Sequence, residues 1–171
     1  IEGRGESVWL GWFLCRLVAD FVPLAHARGE VDRAHRWEAA LQGWKLALQG
    51  PAWDGKWFKR AFFDDGQALG SNANAEARID LIAQAWSALS GAAEPGQQSA
   101  ALESMDAQLV DPEQGLIKLL DPPLGLALPS AGYIQAYPPG VRENGGQYSH
   151  AGVWALMALA THAKSADDPM G

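Results

Sequence analysis

The clearest pattern of apolar and polar positions lies between Val31 and Gln49. Apolar residues recur there at spacings of three and four: Ala34, Trp37, Leu41, Trp44 and Leu48. This spacing puts the apolar side chains on one face of a helix, because an α-helix has about 3.6 residues per turn. Gly50-Pro51 follows directly and is typical of a helix end. The sequence therefore predicts an amphipathic helix over Val31–Gln49.

Four further segments have helical character, and together they predict a mainly all-α fold. The predicted ranges are 6–21, 74–91, 99–110 and a helix that begins near Ser149. Asn72 or Asn74 is the expected N-cap of the third helix, since Asn side chains accept hydrogen bonds from the free N–H groups there. The strand-like run 57–63 ends at the turn sequence Asp64-Asp65-Gly66, which predicts a short β-hairpin-like insertion.

The composition is that of a folded, acidic chain. Of 171 residues, 48% are hydrophobic and 19% are charged, which excludes a disordered chain. The formal net charge of -7 argues against a nucleic-acid partner, because binding to a phosphate backbone needs a basic surface. Cys15 is the only cysteine, so no internal disulfide can form, and a cytoplasmic location and a buried, inert thiol are expected. Arg16 and Asp20 interrupt the apolar run 8–22, which we therefore expect not to insert into a membrane.

One group of candidate binding residues lies in the long loop between the second and third helices. Aromatic, acidic and basic side chains are interleaved in residues 53–66, and the candidates there are Trp53, Asp54 and Arg60. Carbohydrate sites use this mixture, since carboxylates and guanidinium groups bond to hydroxyls and aromatic rings cover the apolar faces of sugars. A hairpin with a solvated turn explains the same residues, and most of the eight tryptophans are expected in the core.

A second group lies in the glycine-broken segment 137–150, which leads into the last helix. Its candidates are Arg142, Glu143, Asn144, Gln147, Tyr148 and His150. Gly145 and Gly146 allow a backbone to approach a ligand closely. A helix N-terminus presents free N–H groups and the positive end of the helix dipole, so a histidine in the first turn is a candidate for binding phosphate. An irregular loop with Ser149 as helix cap and a structural histidine is the alternative.

Three stretches of the sequence resemble the glycoside hydrolase family 94 phosphorylases. They are Gly5-Glu6-Ser7-Val8-Trp9-Leu10, residues 53–71 followed by 82–91, and residues 137–150 with their Arg-Glu-Asn-Gly-Gly run. The family includes cellobiose and chitobiose phosphorylases and the phosphorylase-like region of cyclic β-1,2-glucan synthases, and the stretches resemble this last group most.

The resemblance implies part of an (α/α)6 barrel and an inverting mechanism, with inorganic phosphate as co-substrate and no cofactor or metal. A carboxylic acid protonates the glycosidic oxygen while phosphate attacks the anomeric carbon, so phosphate replaces both water and a general base. The family's acid is an aspartate in a Gly-Asp-Trp-Asn-Asp-Gly stretch that is absent here, and we expect it upstream of Ile1. His150 matches the phosphate-contacting histidine, while Arg142 and Glu143 match the basic and acidic pair beside the sugar and phosphate sites.

On this interpretation residues 1–171 are the C-terminal part of one incomplete barrel domain, since such a barrel needs roughly twelve helices of about eleven residues. The expected parent enzyme performs inverting phosphorolysis or glycosyl transfer on β-glucan oligosaccharides. If it is a cyclic glucan synthase, other regions are expected to anchor it in the inner membrane. The fragment alone is expected to be inactive, and its unpartnered helix faces are expected to self-associate. Two alternatives stay open: a non-catalytic carbohydrate-binding helical module, and an inverting hydrolase on the same barrel.

Overall fold

The structure is a computed structural model that describes residues 3–167. Within that range it contains five α-helices and one short 3-10 helix: α1 (Val8–Ala27), α2 (Val31–Gln49), α3 (Leu81–Leu89), α4 (Pro95–Leu109), α5 (Ser149–Asp167) and Gly132–Ala136. Helix α1 packs on α2 and α3, and α3 packs on α4 and α5. The predicted mainly α-helical class is confirmed, and the arrangement is that of part of an (α/α)6 barrel.

Short antiparallel strands connect the ends of these helices. They are β1 (Glu6–Ser7), β2 (Ala61–Phe62), β3 (Ala68–Leu69), β4 (Ile79–Asp80), β5 (Val110–Asp111), β6 (Leu116–Ile117) and β7 (Leu120–Asp121). β1, β2 and β3 form one sheet, β4 pairs with β7, and β5 pairs with β6. The first sheet joins the start of α1 to the predicted hairpin, and the β4–β7 pair joins the start of α3 to the long loop before α5.

Two of the five predicted helices agree with the structure at the limits that were predicted, and three begin or end elsewhere. Helix α2 has the predicted bounds, and α5 begins at Ser149 as predicted. The first helix does not include residues 6 and 7, because they pair with β2, and it continues through Pro23 to Ala27. The fourth helix begins earlier than predicted, because Glu94 accepts a hydrogen bond from Gln97 N–H and Pro95 occupies the first turn.

The predicted start of the third helix is wrong. Helix α3 begins at Leu81, and its N-cap is Asp80, whose Oδ1 accepts from Ile82 N at 3.0 Å and Ala83 N at 3.2 Å. Asn74 instead closes a turn, since its Oδ1 accepts from Ser71 N at 2.8 Å. The helix cannot start earlier because Ile79 and Asp80 pair with β7.

The core is divided into three apolar clusters. One lies between α3, α4 and α5, and a second lies between α1, α2 and the 52–62 region. In the second, the ring of the fully buried Trp12 meets that of Phe58 edge-on at 4.9 Å. Cys15 belongs to this cluster, and burial raises the pKa of its thiol while the nearby Lys45 charge opposes the shift. The expected buried thiol is confirmed. The third cluster lies beneath the 124–134 loop.

Helices α1 and α5 each present several apolar residues to solvent. On α1 the exposed residues recur at spacings of three and four: Leu10, Leu14, Leu17, Phe21 and Leu24. On α5 they are Val153, Leu156 and Met157. Helix α1 has 20 residues and a mean hydropathy of 1.5, so by length and composition it could cross a membrane, a test that core helices of soluble proteins also pass. The apolar run 8–22 is thus part of a longer helix that continues to Ala27. In a complete barrel each helix buries an apolar stripe against its neighbours. In part of a barrel some neighbours are missing, so apolar faces stay exposed.

Candidate functional site

The segment before α5 is a compact double turn that requires its glycines. Gly140 N donates to Asn144 O at 2.8 Å, and Gly146 N donates to Arg142 O at 3.1 Å. A Cβ atom on Gly146 would lie 2.8 Å from Arg142 N and from Gly140 O, and Gly145 has φ 83°. A side chain at either position would therefore force the turn open.

Asn144 holds this turn from inside the protein. Its side chain is fully buried, with Oδ1 accepting from Leu124 N at 2.7 Å and Nδ2 donating to Leu124 O and Tyr137 O at 2.8 Å each. Both amide hydrogens are thus used by the backbone. These bonds give Asn144 a structural role in the turn, and its contact with substrate stays a prediction.

Arg142, Glu143 and Tyr137 form a charged aromatic group on the outer side of the turn. The Arg142 guanidinium lies 4.8 Å from the centre of the Tyr137 ring, and its Nε lies 3.5 Å from Glu143 Oε2. The Glu143 side chain is 12% exposed, and its Oε2 is buried and has no hydrogen-bond donor among the described residues. A buried carboxylate oxygen without a hydrogen-bond donor is costly, and the nearby Arg142 charge offsets part of that cost.

His150 lies in the first turn of α5, exposed, against an aromatic cluster. Its ring centre is 3.9 Å from that of Trp154 and 6.0 Å from that of Tyr148. Trp154 contacts Trp86 at 5.2 Å and Trp9 at 5.9 Å, so the cluster reaches the start of α1. The first N–H groups of a helix have no intrahelical acceptor, so the place beside His150 suits an anion.

Gln147 and Tyr148 lead from the turn into the helix. Gln147 is exposed, and its Oε1 accepts from Ile117 N at 3.2 Å, so its amide group is still able to donate. Tyr148 is half-buried and packs against the cluster between α3, α4 and α5. Both residues precede His150 in the chain, and their contact with a ligand stays a prediction.

Trp53 and Asp54 belong to a different part of the structure. The Trp53 ring meets Phe58 at 4.8 Å, and Asp54 Oδ1 accepts from Ser71 Oγ at 3.0 Å. Asp54 Oδ2 accepts from Asn72 N at 2.5 Å. The described contacts of both residues therefore stabilise the 53–74 region and are not with the 137–150 turn.

Arg60, the third candidate of the first group, forms an ion pair in the interior. Its guanidinium bonds to Asp80, whose side chain is 1% exposed and whose other oxygen caps α3. The Arg60 side chain itself is 17% exposed. Arg60 thus neutralises a buried carboxylate, which explains an arginine here without any ligand.

A short chain of backbone pairing links the two groups. Asp80 pairs with Leu120 in the β4–β7 pair, and Leu119 N donates to Gly146 O at 3.0 Å. The structure therefore brings the second group together around the turn and His150. Trp53, Asp54 and Arg60 lie on the other side of the β4–β7 pair, and their recorded contacts are with other parts of the fold.

Sequence reasoning missed several residues that shape this region. Tyr137 lies in the segment 137–150, but nothing in the sequence indicates its contact with Arg142. Trp154 lies four residues after His150, so the helical repeat could have shown the contact. Gln84 and Glu76 hold distant backbone segments through hydrogen bonds over sequence separations of 26 and 49 or more, which local patterns do not reveal.

The chain is similar in sequence to known proteins over most of its length. Residues 1–165 match the family described as Glycosyl hydrolase 94 superfamily, catalytic domain. The chain is 47% identical over 163 residues to the cyclic beta-(1,2)-glucan synthase NdvB of Rhizobium meliloti, covering 95% of this chain and 6% of that protein. It is 32% identical over 158 residues to cellobionic acid phosphorylase of Neurospora crassa, covering 92% of this chain. It is 33% identical over 158 residues to solabiose phosphorylase of Paenibacillus borealis, covering 91% of this chain.

These relatives are much longer than the chain. The chain spans 20% of the length of each of the two phosphorylases and 6% of the length of the glucan synthase. The family match nevertheless extends over nearly all 171 residues. The chain therefore belongs to the glycosyl hydrolase 94 superfamily and is part of its catalytic domain, a carbohydrate-active enzyme domain.

Proposed function

We propose that this chain supplies part of the sugar and phosphate site of an inverting glycoside phosphorylase-type domain that acts on β-glucan oligosaccharides. The observation that carries the proposal is the Arg142–Glu143 pair beside the Tyr137 ring, which lies directly before the helix that carries His150. A sugar hydroxyl can donate to Glu143 and accept from Arg142 at the same time, which is how proteins orient polyhydroxylated ligands.

Phosphate binding is assigned to His150 and the exposed first turn of α5. A protonated or correctly oriented imidazole donates to a phosphate oxygen, and the helix N-terminus adds free N–H groups and a positive potential. Phosphate held in this way can attack the anomeric carbon in line, so positioning supplies much of the catalysis. Gln147 is a further proposed donor at the same place. The general acid is supplied, on this proposal, by an aspartate elsewhere in the parent enzyme.

The linkage and the reaction of the parent enzyme are proposed from the relative with the name cyclic beta-(1,2)-glucan synthase. We propose a β-1,2-glucan oligosaccharide as sugar substrate, inorganic phosphate as co-substrate and no other cofactor. We further propose that the chain works on the cytoplasmic side, in a parent held at the inner membrane by other regions. Trp53, Asp54 and Arg60 support the site through the fold and are not proposed as ligands.

The test uses a full-length catalytic domain that contains residues 1–171, incubated with β-1,2-glucan oligosaccharides. The proposal expects glucose 1-phosphate to form only when inorganic phosphate is present. Glu143→Gln should then lower kcat/KM for the glucan by about ten- to a hundredfold, the value of a hydrogen bond to a charged group. Glu113→Gln, a change at an exposed residue, is the matched control and should have no effect.

Other outcomes identify the alternatives. Sugar release that does not depend on phosphate would indicate an inverting hydrolase. Glucan binding without any turnover would indicate a carbohydrate-binding module. Residues 1–171 alone should show no turnover, since losing a general acid costs about 10²- to 10⁴-fold.

A further inference from the structure

The 124–137 loop carries one unusual contact, between a single carboxylate and three consecutive backbone N–H groups. Glu76 Oε2 accepts from Gly125 N at 2.7 Å and from Ala127 N at 2.9 Å, and Leu126 N lies 3.1 Å from both carboxylate oxygens. A carboxylate suits this arrangement because it only accepts hydrogen bonds. The amide of a glutamine would keep one acceptor oxygen, but its NH2 group is a donor and would face the backbone N–H donors.

Gln135 closes the loop from its other end. Its Nε2 donates to Gly125 O at 3.2 Å and to Ala127 O at 3.0 Å, and its Oε1 accepts from Ala131 N at 3.0 Å. The N–H groups of residues 125 and 127 are therefore held by Glu76 while their carbonyl groups are held by Gln135. The backbone at this point is fixed on both sides.

The same loop is connected directly to the turn that carries Arg142 and Glu143. Asn144 bonds to both backbone groups of Leu124 and to Tyr137 O, so it ties the two ends of the loop to the turn. Tyr137 in turn packs against the Arg142 guanidinium. A displacement of residues 124–127 would therefore be passed to Tyr137 and to the turn.

We infer that Glu76 is a positioning residue for the sugar side of the site: it fixes the 124–137 loop, and through Asn144 it sets the places of Tyr137, Arg142 and Glu143. His150 is held by α5 and by its contact with Trp154. A change at Glu76 should therefore affect sugar binding and not phosphate binding. The inference about kinetics rests on the proposed function. The inference about the loop does not.

The test compares Glu76→Gln with the wild type in a full-length catalytic domain that contains residues 1–171. Glu103→Gln is the matched control, since Glu103 is exposed on α4. The first measurement is amide hydrogen exchange, followed by mass spectrometry at peptide level. Exchange should accelerate about tenfold at residues 125–127, as expected for losing a charge-assisted hydrogen bond, and the change should extend to Leu124 and Tyr137.

The second measurement is the KM for β-1,2-glucan and for phosphate, taken separately. Glu76→Gln should raise the glucan KM about three- to tenfold and leave the phosphate KM within about twofold, since one charge-assisted contact is lost on the sugar side alone. Glu76→Asp, which keeps the charge on a shorter side chain, should give a smaller change in the same direction. The control should change neither constant.

Three results would overturn the inference: unchanged exchange at 125–127, acceleration confined to 125–127 with an unchanged glucan KM, or an equal rise in both KM values. If the wild type shows no phosphate-dependent turnover, the proposed function fails. In that case acceleration that reaches Tyr137 still supports the positioning role of Glu76, and acceleration that stops at Ala127 still overturns it.

Discussion

His150 and Trp154 lie one helical turn apart on α5, with ring centres 3.9 Å apart and ring planes inclined by 56°. The indole therefore limits the orientations that the exposed imidazole can adopt. Trp154 is itself held by Trp86 and Trp9, so the orientation of His150 depends on contacts with α3 and α1.

The first prediction concerns this pair of rings. In a full-length catalytic domain, Trp154→Leu should raise the phosphate KM about two- to tenfold, because aromatic pairs contribute about 0.5–1.5 kcal/mol. Trp154→Phe should restore most of the loss, and the glucan KM should change little. Trp37→Leu on α2 serves as the control for loss of a tryptophan. Equal changes in both KM values would show that Trp154 acts only through stability.

The second prediction concerns the buried ion pair between Arg60 and Asp80. Asp80→Ala should lower the free energy of unfolding by about 3–5 kcal/mol, because it removes the cap of α3 and leaves a buried guanidinium unpaired. The exposed pair Arg16–Asp20, with side chains 52% and 55% exposed, is the control, and Asp20→Ala should cost at most about 1 kcal/mol. Urea unfolding at low protein concentration measures both. Similar costs for the two variants would contradict a structural role for Arg60.

The third prediction is a pH effect at Glu76. The hydrogen bond from Gly125 N–H, followed by those from Leu126 and Ala127, holds the pKa of this carboxyl below its usual value, although desolvation opposes the shift. Because the folded-state pKa is lowered, the contribution to loop stability is complete above the unfolded-state pKa. It is lost as the pH falls through the lowered folded-state value.

Hydrogen exchange of residues 125–127 tests this, with rates normalised to those of the unfolded chain at each pH. Protection should be constant from neutral pH down to about pH 5, above the usual glutamate pKa of about 4.3, and should disappear in more acidic solution. Glu76→Gln should remove the dependence on pH. Protection of residues 125–127 that increases on acidification would contradict this prediction.

The fourth prediction is that residues 1–171 alone self-associate. The exposed leucines and Phe21 on α1 form a continuous apolar stripe, and α5 exposes three more apolar residues. Contiguous exposed apolar patches of this kind favour association. Light scattering should show species larger than a monomer, and Leu17→Glu should reduce them, while Gln42→Glu on α2 should not. A stable monomer at high concentration would contradict the partial-barrel interpretation.

The sequence predicted those elements whose signals are local. The apolar stripe of α2 and the glycine-rich entry into α5 are such signals, and both helices begin where they were expected. The start of α3 was not predictable in this way, because it depends on the pairing of Ile79 with Asp121 across 42 residues of chain. Long-range strand pairing overrides a local capping signal such as that of Asn74.

The candidate site was predicted in outline only. The resemblance indicated Arg142, Glu143 and His150. In the structure Arg142 and His150 are exposed, and Glu143 pairs with Arg142. The resemblance could not separate them from Asn144 and Arg60, whose side chains bond to distant parts of the same chain. Residue type indicates what a side chain can bind, whereas its actual partner depends on the tertiary fold.

The central claim is that His150 binds the phosphate co-substrate, and one comparison tests it most directly. His150→Ala is measured beside the wild type in a full-length catalytic domain, with phosphate and glucan varied separately and folding checked by circular dichroism. The account predicts that kcat/KM for phosphate falls by about ten- to a hundredfold, the effect of one charge-assisted hydrogen bond, while the glucan KM stays within about twofold. A folded variant with unchanged phosphate kinetics would contradict the account and remove His150 from the site.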